Sequence, residues 1–163
     1  MADAGLSMPD FTANERTFQL LYQVLGRVGR GHTDDNEAVV QTFDPDNWVL
    51  QAALSKNWRK FYEEDLAERS KFGFPPYYYL LRIESTAVRK ATAESRLDDL
   101  ADKLQAEVGG IKILGPSPCF IERAAGKYRM QLVIKAKSRA KLIACINLLP
   151  NSCTYDLDPQ NLL

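Results

Sequence analysis

Phe72-Gly73-Phe74-Pro75-Pro76-Tyr77-Tyr78-Tyr79-Leu80-Leu81-Arg82-Ile83-Glu84-Ser85 divides the chain and sets the character of its second half. Proline has no amide donor and a fixed φ, so two in succession stop a helix arriving from the N-terminal side and force an extended entry. The aromatic and branched residues that follow predict a strand over 77–85. On such a strand Tyr77 and Tyr79 share one face and Tyr78 takes the other. Exposed rings there would suit stacking on unpaired bases. The usual burial of strand aromatics favours the core instead.

From this strand to the C-terminus the pattern alternates cleanly. Residues 88–108 carry Leu97, Leu100, Ala101, Leu104 and Val108 on one helical stripe, ended by Gly109-Gly110. Ile111–Leu114 reads as a strand bent by Gly115-Pro116-Ser117-Pro118, and Cys119–Arg123 continues it to a turn at Ala124-Ala125-Gly126. Tyr128–Ala136 alternates through Met130, Leu132 and Ile134. Ser138 is placed to cap a helix reaching Leu149, and Cys153–Leu157 is a last strand. The order is βαββαβ. Two helices on one face of a small antiparallel sheet is the economical packing. The expected class is therefore α/β (α+β), with a ferredoxin-like domain over 77–163.

On the other side of the prolines lie two helical stretches, Trp48–Lys56 and Trp58–Lys71, and a short strand expected over 37–43. The charged mix Glu63-Glu64-Asp65 and Glu68-Arg69 reads as a solvated outer face. Further back, Thr12 with Glu15 fits a capping box for a helix running to Arg30, with Gly31 following as its C-terminal glycine. Phe18, Leu21, Tyr22 and Leu25 form its apolar stripe. Gln23, Arg27 and Arg30 fall on the opposite face, with a glycine directly before each arginine. Arginine forks at fixed separation suit phosphate oxygens and can stabilise charge on a transferring γ-phosphoryl group. The bland alternative is a solvated basic face.

Bulk properties narrow the rest. With 163 residues and 45% hydrophobic content the chain can build one ordinary core or two small ones. Its 21 basic and 21 acidic residues cancel, so any contact with nucleic acid must come from a local patch. One such patch is predicted where Lys135, Lys137, Arg139 and Lys141 meet a strand end and helix start, with Arg123, Lys127 and Arg129 on the adjoining hairpin. It could hold DNA phosphates, hold an acidic peptide terminus, or be ordinary solvated charge. Cys119, Cys145 and Cys153 have no C-x-x-C spacing and read as buried free thiols, and the single His32 reads as a solvated loop residue. No run approaches transmembrane length and no signal peptide is apparent, which points to a cytosolic protein.

The pattern Gln23-x-x-Gly26-Arg27-x-Gly29-Arg30 resembles motif VI of superfamily two helicases. Pro9-Asp10-Phe11, Glu15-Arg16, Tyr62-Glu63-Glu64, Leu66-Ala67-Glu68-Arg69, Gly73-Phe74-Pro75-Pro76, Leu114-Gly115-Pro116-Ser117-Pro118 and Asp156-Leu157-Asp158-Pro159 extend the likeness. Together, and in this order, they resemble the PriA (primosomal protein N′) family of bacterial replication-restart helicases. The resemblance implies the end of a second RecA-like helicase lobe over 1–46, a helical connector over 47–76 and a PriA-type C-terminal domain over 77–163. It implies an ATP-dependent 3′ to 5′ DNA helicase acting in primosome assembly and restart at stalled forks, with ATP and Mg2+ as cofactors. Arg27 and Arg30 would contact ATP phosphates, Arg30 as the arginine finger, while Gln23 would place the nucleotide or couple it to the DNA site. Ser138 and Arg139 would meet the acidic C-terminal tail of the single-stranded DNA-binding protein, although Ile143 stands where some members carry glutamine. Forked or single-stranded DNA and other primosome proteins are the further implied partners.

The sequence contains no P-loop G-x-x-x-x-G-K-S/T and no recognisable Walker B box. The family's zinc-binding cysteines would lie upstream of Met1. The expectation is thus a fragment that binds DNA or a partner protein without hydrolysing ATP and without a cofactor of its own. A stand-alone, non-catalytic module holding DNA or the acidic tail is the alternative.

Overall fold

In the computed structural model, residues 3–28 and 37–163 are described, and they fall into two compact units, 1–71 and 72–163. Each has its own core. The class is mixed α/β, with six helices and one four-stranded antiparallel sheet among the described residues.

The N-terminal unit is helical: α1 (Asp3–Leu6), α2 (Ala13–Arg27), α3 (Trp48–Leu54) and α4 (Trp58–Phe72), the last running one residue past the boundary. The stripe read from the sequence holds from Phe18 to Tyr22, and Leu25 is not part of the cluster. Phe18 is fully buried with Val49, Ala52, Ala53 and Phe61, and Leu21 and Tyr22 pack on that cluster. Its centre is aromatic, the Phe18 ring stacking on Phe61 at 4.0 Å and meeting Trp58 edge-on at 4.8 Å. A polar clamp joins α2 to α4, Arg69 reaching Asp65 at 2.6 Å and Glu15 at 2.9 Å. Burial keeps the Asp65 carboxyl above its ordinary value even with Arg69 beside it.

Three local expectations for this unit are corrected. The capping box does not form, because the Thr12 hydroxyl donates to Asp10 at 2.5 Å and Glu15 accepts from Arg69 and Gln19. Residues 37–43 are not a strand. A strand needs a neighbour to complete its hydrogen bonds. Instead Thr42 and the Phe43 amide donate to the Asp3 carboxylate, at 2.6 and 3.1 Å. These bonds hold that carboxyl below its ordinary range. The third concerns the end of α2 and belongs with the candidate site.

The C-terminal unit is built from β1 (Tyr79–Ala87), α5 (Lys90–Glu107), β2 (Ile111–Ala124), β3 (Lys127–Ala136), α6 (Arg139–Asn147) and β4 (Cys153–Leu157). The sheet order is β2-β3-β1-β4, antiparallel throughout. Leu81, Ile83, Met130, Leu132, Ile134 and Ala136 project from one face of the sheet into a core closed by Leu97, Leu100 and Leu104 of α5 and Leu142 of α6. The βαββαβ order expected from the sequence is the one observed.

The bent strand read from the sequence is one long β2. Its register against β3 shifts between Leu114 and Ser117 and again between Pro118 and Arg123. Gly115 makes the first shift possible. Its φ is +105°, and a Cβ there would stand 2.8 Å from the Gln131 carbonyl oxygen. Tyr77 and Tyr79 on one face are exposed and Tyr78 on the other is half-buried, so neither face of this run is the core that the strand aromatics led us to expect; the strand begins only at Tyr79.

Candidate nucleic-acid and partner interface

The polar face of α2 is shorter than its sequence predicts. The helix ends at Arg27 and Val28 is extended, at φ −69° and ψ 128°. Gly26 and Gly29 flank a β-branched valine, three residues with poor helical preference, so the last predicted turn is not sustained. Gln23 and Arg27 stand one turn apart, exposed, on a shallow depression shared with Tyr22 and Gly26. Arg30 lies outside the described residues, as do Gly29, Gly31 and His32.

The seven cations predicted as one patch are not one patch. Strand β3 has ten residues, which at ~3.3 Å per residue separates its ends by about 30 Å. Lys135, Lys137, Ser138, Arg139 and Lys141 lie at or beyond its C-terminal end; Arg123, Lys127 and Arg129 lie at the hairpin end. Residues close in sequence lie far apart because the strand joining them is ten residues long and paired on both sides.

At the first end, alternation sends Lys135 to the sheet face opposite the helices. It is buried, its ammonium donating to the Phe72 carbonyl at 3.0 Å and lying 3.4 Å from the centre of the Phe74 ring. Burial, with Lys112 nearby, pulls its pKa below the ordinary lysine value. Lys135 therefore acts within the fold, holding the Phe72–Phe74 entry against the sheet. Tyr78 sits between two further ammonium groups, Lys112 at 5.5 Å and Lys137 at 5.9 Å. Ser138 occupies the N-cap position of α6, but its hydroxyl makes no capping bond. Lys141 donates to the Gly109 carbonyl at 2.7 Å. Arg139 meets Asp158 at 3.0 Å, and both side chains remain partly exposed. The free surface at this end is thus the Arg139–Asp158 pair, Lys137 and the exposed Ile143 on the same helix.

At the hairpin end, Arg129 forks onto Glu84 with bonds of 2.6 and 2.8 Å. That fork holds the Glu84 carboxyl below its ordinary value. Beside it, burial and the Glu84 charge push the Cys119 thiol up to about 11, so this sulfur is not a thiolate near neutrality. Arg123 lies 5.3 Å from the Tyr128 ring centre. Lys127 is exposed, and beside it stand two cations that sequence reading passed over, Arg89 and Arg96. The signal was there: Arg89 stands at the N-cap of α5, and Arg96 follows it by seven residues, two turns into the helix. Asp158 was likewise missed as the partner of Arg139, because their contact depends on where β4 ends.

Among the described residues no three His, Cys, Asp or Glu side chains converge as a metal site, and no helix is long and apolar enough to cross a membrane.

Comparison with known proteins adds to this geometry. Residues 70–159 match the family model of the primosomal protein N C-terminal domain. The replication restart protein PriA of Bacillus subtilis is 38% identical over 146 residues, covering 89% of this chain and 18% of that protein. The PriA of Haemophilus influenzae is 35% identical over 170 residues, covering 98% of this chain and 23% of its own length. That of Thermotoga maritima is 30% identical over 141 residues, covering 86% and 18%. The chain thus spans about a fifth of the length of these curated relatives. With the family model matched over residues 70–159 of 163, and with relatives of one kind aligned through both compact units, the chain belongs to the PriA family of replication restart proteins and corresponds to its C-terminal part.

Proposed function

We propose that this chain serves replication restart as the C-terminal part of an ATP-dependent 3′ to 5′ DNA helicase. Residues 1–46 end its second RecA-like lobe, 47–76 connect, and 77–163 form a ferredoxin-like domain that engages DNA and protein partners of the primosome. The observation that carries this reading is the alignment with proteins named for replication restart, which runs through the arginine-bearing helix and the βαββαβ unit alike. In the complete motor, Gln23, Arg27 and Arg30 reach the phosphates of ATP bound with Mg2+ by a P-loop that this sequence lacks. The cationic donors of the C-terminal unit act without the motor.

Arg139 is the residue proposed to receive the terminal carboxylate of the single-stranded DNA-binding protein's acidic tail. Its present partner, Asp158, already supplies a carboxylate at 3.0 Å. An incoming acidic tail must therefore compete with Asp158. The pair is partly exposed, so the competition is worth less than about 1 kcal/mol, a factor of up to roughly five in affinity.

The test is titration of the purified chain with a fluorescent tail peptide and with labelled forked DNA at several salt concentrations. Arg139→Ala is expected to weaken the peptide at least tenfold and Asp158→Asn to tighten it two- to five-fold, by the ion-pair estimate above. If neither ligand shows salt-sensitive binding, and Arg139→Ala changes nothing, the binding role fails.

A further inference from the structure

The hairpin end of the sheet gathers three exposed cations, none with a carboxylate partner among the described residues, into one cleft. Ala87, the last residue of β1, pairs with Tyr128. Lys127 consequently lies beside the Val88–Arg89 turn that leads into α5. Arg89, Arg96 and Lys127, with Thr86 and Thr92, line an open cleft of about 490 Å³ that includes no acidic side chain. All three cations are exposed. None of them makes an ion pair among the described residues; Arg96 has only a long bond, 3.5 Å, to the Thr86 carbonyl. The acid next to the cleft is neutralised elsewhere, Glu122 being held by Lys90 at 2.7 Å. Asp99, one turn beyond Arg96, lines a second depression, which Arg96 and Lys103 also line, and makes no ion pair with Arg96.

Arg129, Arg139, Lys135 and Lys141 differ in each having a partner within 3.0 Å, and Lys112, Lys137 and Arg123 lie against tyrosine rings. From Arg89, the N-cap of α5, to Arg96 within it is two turns of rise, about 10 Å. Lys127 flanks that line from the hairpin. Three exposed cations along an open cleft, with two hydroxyls beside them, fit a chain of phosphodiesters better than one enclosed phosphate.

We infer that the cleft formed by Arg89, Arg96 and Lys127 is a contact site for the phosphate backbone of DNA, separate from the Arg139 end of the sheet. This rests on the reading of the chain as a DNA-engaging part of a restart protein and assigns that role to residues no motif marks. The contact is electrostatic and indifferent to base sequence.

The experiment uses the whole chain, a labelled fork of duplex and single-stranded arms, and the variant Arg89→Ala/Arg96→Ala/Lys127→Ala. Affinity is measured from about 50 to 200 mM salt. Removing three phosphate contacts is expected to flatten the slope of log affinity against log salt by roughly 2–3 and to weaken fork binding at least tenfold at intermediate salt. Binding of the acidic tail peptide and the melting temperature should not change. A second measurement needs no variant. Addition of fork DNA to the wild-type chain should shift the backbone amide resonances of residues 86–96 and 127, while inorganic phosphate at the same phosphate concentration should shift them much less. If wild type binds the fork and neither the slope nor these amides respond, the site is overturned while the DNA-binding reading stands. If wild type shows no salt-sensitive fork binding, both are overturned. If inorganic phosphate saturates the same amides and DNA does not, the cleft is a small-anion site and the inference fails.

Discussion

Glu84 and Arg129 show how far one pair can be followed. Both project from the sheet face opposite the helices, and the fork between them uses both carboxylate oxygens. The pair is mostly shielded, with 28% of the arginine and 15% of the glutamate side chain exposed. Two forces act on the Glu84 carboxyl in opposite directions: the Arg129 bonds favour its charged form, and burial disfavours it. The arginine prevails, and the folded-state pKa lies below the ordinary value. A carboxyl with a depressed folded pKa binds its proton more readily in the unfolded chain. Its stabilisation is therefore complete above the unfolded pKa and disappears as pH falls through the folded one. Glu84→Gln should lower unfolding free energy by about 1–2 kcal/mol near neutrality. The gap from wild type should close as pH drops from about 5 toward 3, through the carboxylate range. Urea unfolding across that range measures it. Equal stabilities at neutral pH, or a gap that persists into acid, would show that the fork contributes nothing.

Two glycines separate backbone necessity from mere permission, and they belong to elements that were read with different success. In β2, Gly115 combines a φ of +105° with the Gln131 carbonyl 2.8 Å from where a Cβ would sit. Gly115→Ala should cost about 2–4 kcal/mol, because either the bulge or the β2–β3 register must give way. In α2, a Cβ at Gly26 meets nothing within 4 Å. Gly26→Ala should stabilise the N-terminal unit by about 0.5 kcal/mol, less than in a helix centre because the helix ends at the next residue. Thermal unfolding of the two variants decides both, and a loss of stability in Gly26→Ala would reveal a close neighbour that residue 26 must accommodate. The same contrast explains what was legible beforehand. Periodicity was enough for α5, β3 and the apolar stripe of α2, where burial repeats with the element. It was not enough for β2, since a bulge depends on a partner strand far away in sequence. Nor did it reveal that residues 37–43 would stay irregular, that α2 would stop at Arg27, or that Lys135 would turn inward under Phe74. The first and last of these are decided by long-range contact, while the end of α2 follows from local residues, Gly26, Val28 and Gly29, that the amphipathic period outweighed in the reading. The candidate cations were identifiable one by one, but their grouping followed from the length of β3.

Residues 72–163 carry the conditions for folding alone. Every strand of the sheet is in this unit, and both helices that cover its core are too. Its apolar cluster runs from Leu81 to Cys145 without borrowing a residue from the helical unit. A domain of about this size buries enough surface to be stable by itself. The boundary matters to within a few residues. Phe72 and Phe74 precede the first strand, yet one supplies the acceptor and the other the ring that Lys135 needs to remain buried. A chain beginning at Tyr79 would keep the complete sheet and lose both partners, leaving an ammonium group on a half-covered apolar face. Burial of an uncompensated charge is expensive, so Lys135 would turn to solvent and the Phe74 packing would be lost with it. Residues 72–163 are expected to unfold in urea as one cooperative transition, and residues 79–163 to do so with stability lower by about 2–3 kcal/mol. Lys135→Met separates the two contributions. In 72–163 it keeps an apolar stem under Phe74 and should stay within about 1 kcal/mol of wild type. In 79–163 it should recover part of the loss. If 79–163 is as stable as 72–163, the proline-containing entry is only a tether and the sheet alone defines the domain.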